Sequence, residues 1–109
     1  MKRGEFRTVS GGTEFTGKPR PALIVTDDFY SRSSSVVVCP LTTLPVNTPV
    51  LRIEVLPDTV NGLRRRSYIQ IDKLGAVPVW KFGDRIGQLE SSLMIEVDLA
   101  LAAYLGLTK

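Results

Sequence analysis

Two short segments of this chain carry side chains that can bind and polarise a phosphate. Arg20 stands between two prolines at the mouth of an apolar segment, and Thr42 and Thr43 end a second apolar segment. Proline fixes its own φ and favours extended geometry in the residue before it, so we expect Arg20 at the start of a strand. A guanidinium grips phosphate oxygens through two parallel donors, and threonine hydroxyls add uncharged ones. These residues suit chemistry on a phosphodiester.

Several common catalytic groups are missing from the sequence. It contains no histidine, so acid–base chemistry would have to use other side chains. It has no Cys/His metal spacing, phosphate-binding glycine loop or nucleotide fingerprint, and so implies no metal and no other cofactor. The single cysteine, Cys39, follows three valines, which favours a small buried hydrophobe over a reactive thiol.

Length and composition predict one domain spanning residues 1–109. No apolar run approaches the roughly 18 residues that a membrane span needs, and no apolar signal core follows Met1, so we expect a cytoplasmic protein without membrane contact. Thirteen basic and eight acidic side chains fall within the first 89 residues. Such a basic body is compatible with a polyanionic partner, although an ordinary solvated surface explains the charge equally well.

The pattern of apolar residues predicts many strands and one terminal helix. We expect a helix that is capped by Ser91 or Ser92 and ends at Gly106, and its second apolar edge, Ile95 and Leu99, is covered by a second subunit or by extra burial. Many short strands with one closing helix predict a small curled barrel. The predicted strands cover residues 3–9, 21–26, 35–39, 51–55, 68–72, 77–80 and 84–89.

Five short motifs, in order along the chain, resemble those of the MazF/PemK (Kid-like) ribonuclease toxins of bacterial toxin–antitoxin pairs. The resemblance implies a mainly β fold, an SH3-like antiparallel barrel with a C-terminal helix, that works as a homodimer. It also implies a single-stranded RNA substrate and a cognate antitoxin whose disordered acidic tail binds the toxin. The motifs are Arg3-Gly4-Glu5, Gly12-Thr13-Glu14 ahead of Arg20-Pro21, Pro40-Leu41-Thr42-Thr43, residues 67–72, and Ile86-Gly87-Gln88-Leu89.

The resemblance also implies a catalytic set. Arg20 and Thr42 match catalytic residues of the family, and Asp72 matches the candidate general base of Kid-like members. We expect Arg20 to act by charge, because a guanidinium stays protonated in proteins. Two alternatives stay open: a structural pairing of Arg20 with Asp27, and a surface pairing of Asp72 with Lys73.

Further residues are expected to contact RNA. Kid-like members carry an arginine two residues before the aspartate, where this chain has Gln70, so either Arg20 serves alone or a residue of 64–66 reaches in. Three adjacent arginines cannot all point one way, which leaves one or two for a phosphate track. Aromatic side chains suit stacking on bases. The expected RNA-binding residues are Glu14, Thr43, Gln70, Arg64, Arg65, Arg66, Tyr68 and Phe29.

Two functions compete. The first is a metal-independent, sequence-specific endoribonuclease that leaves 2′,3′-cyclic phosphate and 5′-hydroxyl ends. The second is a non-catalytic toxin like the CcdB-like toxins, which share the barrel and poison DNA gyrase by protein contact. Arg20, Thr42 and Asp72 favour the first function, and Gln70 favours a degenerate member.

Overall fold

Antiparallel strands and a single helix build the molecule. The computed structural model describes residues 1–10, 18–45 and 51–108. These contain seven strands and one α-helix, which confirms the predicted mainly β fold with a C-terminal helix. The elements are β1 (Glu5–Val9), β2 (Arg20–Ile24), β3 (Ser35–Thr42), β4 (Arg52–Val55), β5 (Ser67–Gln70), β6 (Gly75–Pro78), β7 (Phe82–Gln88) and α1 (Ser91–Tyr104).

The seven strands form one strongly curled sheet. Its order is β4-β5-β3-β2-β1-β7, and β6 pairs with the first half of β3. Every pairing recorded between these strands is antiparallel. Within the described residues, β4 and β7 end the sheet on its two sides, so the barrel-like curl is not closed.

The main core fills the inside of this curl. Phe6, Leu23 and Cys39 stand next to one another across β1, β2 and β3, and all three are fully buried. Val97 of α1, also fully buried, closes the core from the helix side. The other buried members of this core are Leu41, Ile53, Val55, Leu63, Ile69, Ile71 and Leu89.

A second apolar cluster covers part of the outer face of the sheet. Ala22 and Ile24 of β2 lie there with Val36 and Val38 of β3, under a cover that includes Phe82. The central strands are therefore buried on both faces, as their unbroken apolar sequences predicted. The rest of this outer face carries polar side chains in the part of the chain that the structure describes.

Two predicted strand segments are wrong in part. Residues 71–73 form a 3₁₀ turn, because the ladder with β4 ends at the Arg52–Gln70 pair and the chain must turn to begin β6. Residues 79–81 also form a 3₁₀ turn, directly after Pro78, which has no N–H to continue a ladder. Trp80, on this second turn, is 76% exposed, with the Lys81 amino group 5.4 Å from its ring centre.

Only the C-terminal end of α1 matches the sequence prediction. The helix begins at Ser91, but its N-cap is Glu90 and no side chain caps it. At the other end Gly106 adopts φ +75°, and the amides of Gly106 and Leu107 donate to the carbonyls of Ala103 and Ala102. This Schellman arrangement ends the helix where the glycine predicted.

The outward edge of α1 is apolar. Ile95 and Leu99 are both exposed, so nothing within the described residues covers the second apolar edge. Of the two alternatives for this edge, extra burial inside the subunit is not what the structure has. Among the described residues, no helix has the length and apolar character needed to cross a bilayer.

Candidate active site

Strand register brings Arg20 and Thr42 together. Ala22 pairs with Pro40 across β2 and β3, and continuing this register by two residues sets Arg20 opposite Thr42. Thr42 in turn pairs with Tyr68 of β5. Because side chains alternate along a strand, all three point away from the main core. The prediction that these two strand ends meet therefore agrees with the geometry.

The next row of the sheet adds Gln70. It pairs with Arg52 of β4, and its amide nitrogen donates to the carbonyl of Pro40 on β3 at 3.4 Å. We call Arg20, Thr42, Tyr68 and Gln70 the outer polar face. Asp72 lies at the border of this face, on the 3₁₀ turn that directly follows β5.

Arg20 is exposed at the start of β2, with Val9 as its neighbour on β1. No described residue pairs with its guanidinium. Asp27, the structural partner considered from the sequence, follows the far end of β2 and accepts a hydrogen bond from the Phe29 amide instead. Arg20 therefore presents its donors to solvent and to whatever binds the face.

The two threonines at the end of β3 point in opposite directions. Thr42 is half-buried on the outer polar face, where its hydroxyl oxygen accepts from the Leu44 amide at 3.2 Å. This bond uses a lone pair and leaves the hydroxyl proton free to be donated. Thr43 is exposed and lines a neighbouring cleft.

That cleft has a volume of about 500 Å³ and lies beside the prolines that flank Arg20. Its floor is largely apolar, and Arg64 and Arg65 stand on its rim. Arg66 turns away and forms an ion pair with Glu54 at 3.2 Å. The three arginines diverge, as their adjacency predicted. The lining residues are Thr8, Pro19, Pro21, Thr43, Gly62, Leu63, Arg64, Arg65, Ser67 and Ile86.

A rigid turn presents these arginines. The Asn61 side chain is buried; its amide donates to the Leu56 carbonyl at 2.8 Å, and its oxygen accepts from the amides of Asp58 and Leu63. Gly62 has φ +68°, and a Cβ there would lie 2.2 Å from the carbonyl oxygen of Ile86. Only glycine fits this turn.

The comparisons with known proteins give the family of this chain. Residues 2–105 match the family model described as PemK-like, MazF-like toxin of type II toxin–antitoxin system. This chain belongs to that family. The predicted resemblance is confirmed.

Two relatives extend the match over most of this toxin. A probable endoribonuclease MazF of Mycolicibacterium smegmatis is 39% identical over 107 residues, which are 98% of each protein. Endoribonuclease MazF6 of Mycobacterium tuberculosis is 30% identical over 92 residues, 83% of this chain and 81% of its own.

Two solved structures show the same fold. The Mycobacterium tuberculosis toxin MazF-mt6 superposes with a TM-score of 0.75 at 28% identity, over 92% of this chain and 95% of its own. An endoribonuclease in complex with its cognate antitoxin, from a mycobacterial species, gives a TM-score of 0.79 at 24% identity, over 98% of this chain and 96% of its own. At that identity the second match speaks for the fold alone.

Sequence reasoning missed one residue of this toxin's site. Asp72 pairs neither with Lys73 nor with the arginines of 64–66, but with Arg52, whose Nη1 donates to its Oδ1. The strand alternation of residues 51–55 was a usable signal, because it sets Arg52 on the face opposite Ile53 and Val55. What the sequence could not supply was the pairing of β4 with β5.

One expected RNA contact lies elsewhere, and another falls outside the described residues. Phe29 is 82% exposed, but it follows the far end of β2, so it is not brought together with the outer polar face; its ring packs edge-on against Tyr30 at 5.0 Å. Glu14 lies outside the described residues. Among the described residues, no group of three or more histidine, cysteine, aspartate or glutamate side chains is arranged to hold a metal ion.

Proposed function

We propose that this MazF-type endoribonuclease toxin cleaves single-stranded RNA, without a metal, by attack of the RNA's own 2′-hydroxyl. The observation that supports the proposal is the placement of Arg20 and Thr42 at the adjoining ends of β2 and β3, each two residues beyond the recorded pair of Ala22 with Pro40, with no described residue paired to the exposed Arg20 guanidinium. Asp72 adds a partly exposed carboxylate at the border of that face. The reaction needs a base for the 2′ proton, donors that stabilise the charge of the phosphorane, and a proton for the leaving 5′ oxygen; these residues supply the first two.

In the proposed reaction the 2′ oxygen attacks the adjacent phosphorus, and the bond from phosphorus to the 5′ oxygen breaks. Asp72 takes the 2′ proton as general base. Arg20 and Thr42 donate to the phosphoryl oxygens, where a preorganised donor contributes roughly 3–4 kcal/mol to the transition state. Water protonates the leaving 5′ oxygen, because arginine stays protonated in proteins. The products are a 2′,3′-cyclic phosphate and a 5′-hydroxyl.

Substrate binding in this proposal also uses the cleft, whose lining residues Pro21, Thr43 and Ser67 lie on the other side of the strand ends that carry the outer polar face. Arg64 and Arg65 on the cleft rim contact RNA phosphates, and Thr43 donates to the same backbone. Tyr68, half-buried between Thr42 and Glu54 in the row, stacks against a base. Arg66 contributes less, since Glu54 already neutralises it.

Partners follow from the same proposal. A related structure is titled as an endoribonuclease with its cognate antitoxin, which supports an antitoxin partner for this toxin. A disordered acidic tail would suit the basic cleft rim and fold on binding. We further propose a homodimer, in which the exposed Ile95 and Leu99 edge of α1 is covered by a second subunit, and a cytoplasmic location, where mRNA is found.

The test is cleavage of a mixed-sequence single-stranded RNA in EDTA, with end-group analysis of the products. Wild type is compared with Arg20→Ala, with Thr42→Val, which removes the hydroxyl and keeps the shape, and with Arg32→Ala. Arg32 is an exposed loop arginine, so this control removes the same charge away from the face. We expect Arg20→Ala and Thr42→Val each to lower the rate on the order of 10²–10³-fold.

The outcomes separate the alternatives clearly. Discrete fragments with 2′,3′-cyclic ends, made by wild type and Arg32→Ala but not by Arg20→Ala, support the proposal. Equal cleavage by wild type and Arg20→Ala rejects this site. Intact RNA from folded wild type rejects the activity and would make gyrase inhibition the next assay.

A further inference from the structure

Arg52 is a buried arginine beside the outer polar face. It starts β4, its side chain is 9% exposed, and its Nη1 pairs with Oδ1 of Asp72. The same nitrogen donates to the carbonyl of Leu51 at 3.1 Å. Its Nε is buried and has no hydrogen-bond partner among the described residues. Among the described residues, Asp72 is therefore the only carboxylate that forms an ion pair with the Arg52 guanidinium.

Stability does not account for an arginine at this position. A buried ion pair often contributes no more than an apolar pair of the same volume, because both charges lose their water. The unpartnered Nε of Arg52 adds a further desolvation cost. We therefore look for the role of Arg52 in its effect on the Asp72 carboxylate.

The surroundings of Asp72 assign that task to Arg52. Gln70 is the cross-strand neighbour of Arg52, but its amide is directed to the Pro40 carbonyl and carries no charge. From the helix side, the Tyr104 hydroxyl donates to the backbone carbonyl of Asp72 at 3.4 Å. Arg52 therefore holds the carboxylate while α1 holds the backbone.

We propose that Arg52 is the positioning residue of Asp72, fixing the carboxylate through Oδ1 so that Oδ2 remains to accept the 2′ proton. The inference rests on the proposed function, in which Asp72 is the general base. Arg52 is too buried to reach the phosphate, which is left to Arg20. Arg52 thus positions the general base, and Arg20 stabilises the negative charge of the phosphorane.

The test is single-turnover cleavage of RNA in EDTA by five proteins: wild type, Arg52→Gln, Asp72→Asn, the double variant of these two, and the exchange Arg52→Gln with Gln70→Arg. Positions 52 and 70 are direct cross-strand partners, so the exchange returns a guanidinium from the other strand of the same pair. Arg85→Gln is the matched control, because it removes an arginine from a carboxylate on the opposite side of the sheet.

We expect Arg52→Gln to lower kcat on the order of 10²-fold, since small misplacement of a catalytic group has effects of that size, with KM changed less than about threefold. The double variant should be no slower than Asp72→Asn, because residues that act as one unit are not additive. The exchange should regain at least about tenfold over Arg52→Gln. Arg85→Gln should cleave like wild type.

Two results would overturn the inference: a folded Arg52→Gln with kcat near wild type, or a double variant whose loss is the product of the single losses. If Arg52→Gln does not fold, as judged by circular dichroism, the exchange variant decides: cleavage within about tenfold of wild type supports positioning, and anything slower rejects it. The proposed function fails separately, by wild type that does not cleave or by Arg20→Ala that cleaves as well as wild type.

Discussion

Two carboxylates of this toxin meet arginines in very different settings. Glu5 of β1 has an 11% exposed side chain, and both of its oxygens are used: Oε1 accepts from the Lys2 amide at 2.8 Å and from Arg7 at 3.5 Å, and Oε2 accepts from Arg85 at 2.9 Å. Asp72 has a 28% exposed side chain and one arginine, which holds Oδ1.

The difference separates a carboxylate that serves the fold from one with capacity left for a substrate. We call Glu5, Arg7 and Arg85 the Glu5 cluster; it ties β1 to β7 and to the N-terminal turn. Both oxygens of Glu5 already accept hydrogen bonds and its side chain is largely buried, so the cluster serves the fold. Asp72 is held from one side only, at the border of a face that carries Arg20 and Thr42.

The largest effect should come from neutralising each carboxylate in turn. Asp72→Asn should lower RNA cleavage about 10²–10⁴-fold, the usual contribution of a general base, and should also lower the unfolding free energy, because the largely buried Arg52 guanidinium loses its carboxylate. Glu5→Gln should leave RNA cleavage near that of wild type, and cost about 1–3 kcal/mol of stability, because it leaves partners in the cluster without their acceptor. Urea unfolding and single-turnover cleavage measure the two quantities.

The comparison between the two carboxylates breaks if their effects coincide. A folded Glu5→Gln that cleaves as slowly as Asp72→Asn would make Glu5 part of the site. Asp72→Asn with wild-type cleavage would return Asp72 to the surface role considered from the sequence.

The pH dependence of stability gives a smaller but more specific effect. Burial by itself raises the pKa of Glu5, but the Lys2 amide, Arg85 and Arg7 outweigh it and hold the pKa below its ordinary 4.5. The unfolded chain therefore binds the proton more readily, and stability falls as pH drops from about 5 through the folded pKa. Wild type should lose its advantage over Glu5→Gln in that window, as measured by urea unfolding at several pH values.

An advantage of wild type that stays constant from pH 7 down to pH 3 would contradict this assignment. Arg32→Ala is a suitable control here too, because it changes an exposed charge without touching the Glu5 cluster.

Local sequence was enough to predict the fold and the Arg20–Thr42 row. The prolines beside Arg20 and the apolar runs before Thr42 each define one strand end, and two adjacent antiparallel strands bring such ends together. The resemblance to the toxin family implied the same barrel with a C-terminal helix, but the order of the strands was not predicted. Gly62 and Gly106 both have a positive φ, which glycine adopts without strain, so a glycine in the sequence is a usable signal for the turn at each position.

Contacts between side chains on different strands could not be predicted from local sequence. The Arg52–Asp72 pair depends on the register of β4 against β5 and on the turn at residues 71–73, where the predicted alternation ends. Phe29 was expected at the site from its loop position and aromatic ring, but its loop joins the opposite ends of β2 and β3. The aromatic ring of Phe29 suggested stacking on a base, but the residue type did not predict where Phe29 lies in the fold.

Cys39 extends the comparison to a buried group with no charged partner, and predicts the smallest change of all. It is fully buried in the main core, and burial raises the pKa of its thiol to about 11. At pH 8 only about one thiol in a thousand is ionised, and the thiolate is the reactive form. Iodoacetamide should therefore leave the native toxin unmodified, label it fully in denaturant, and not alter RNA cleavage; mass spectrometry gives the count. Rapid labelling of the native protein would show that the strands around Cys39 open often enough to expose its thiol to the reagent.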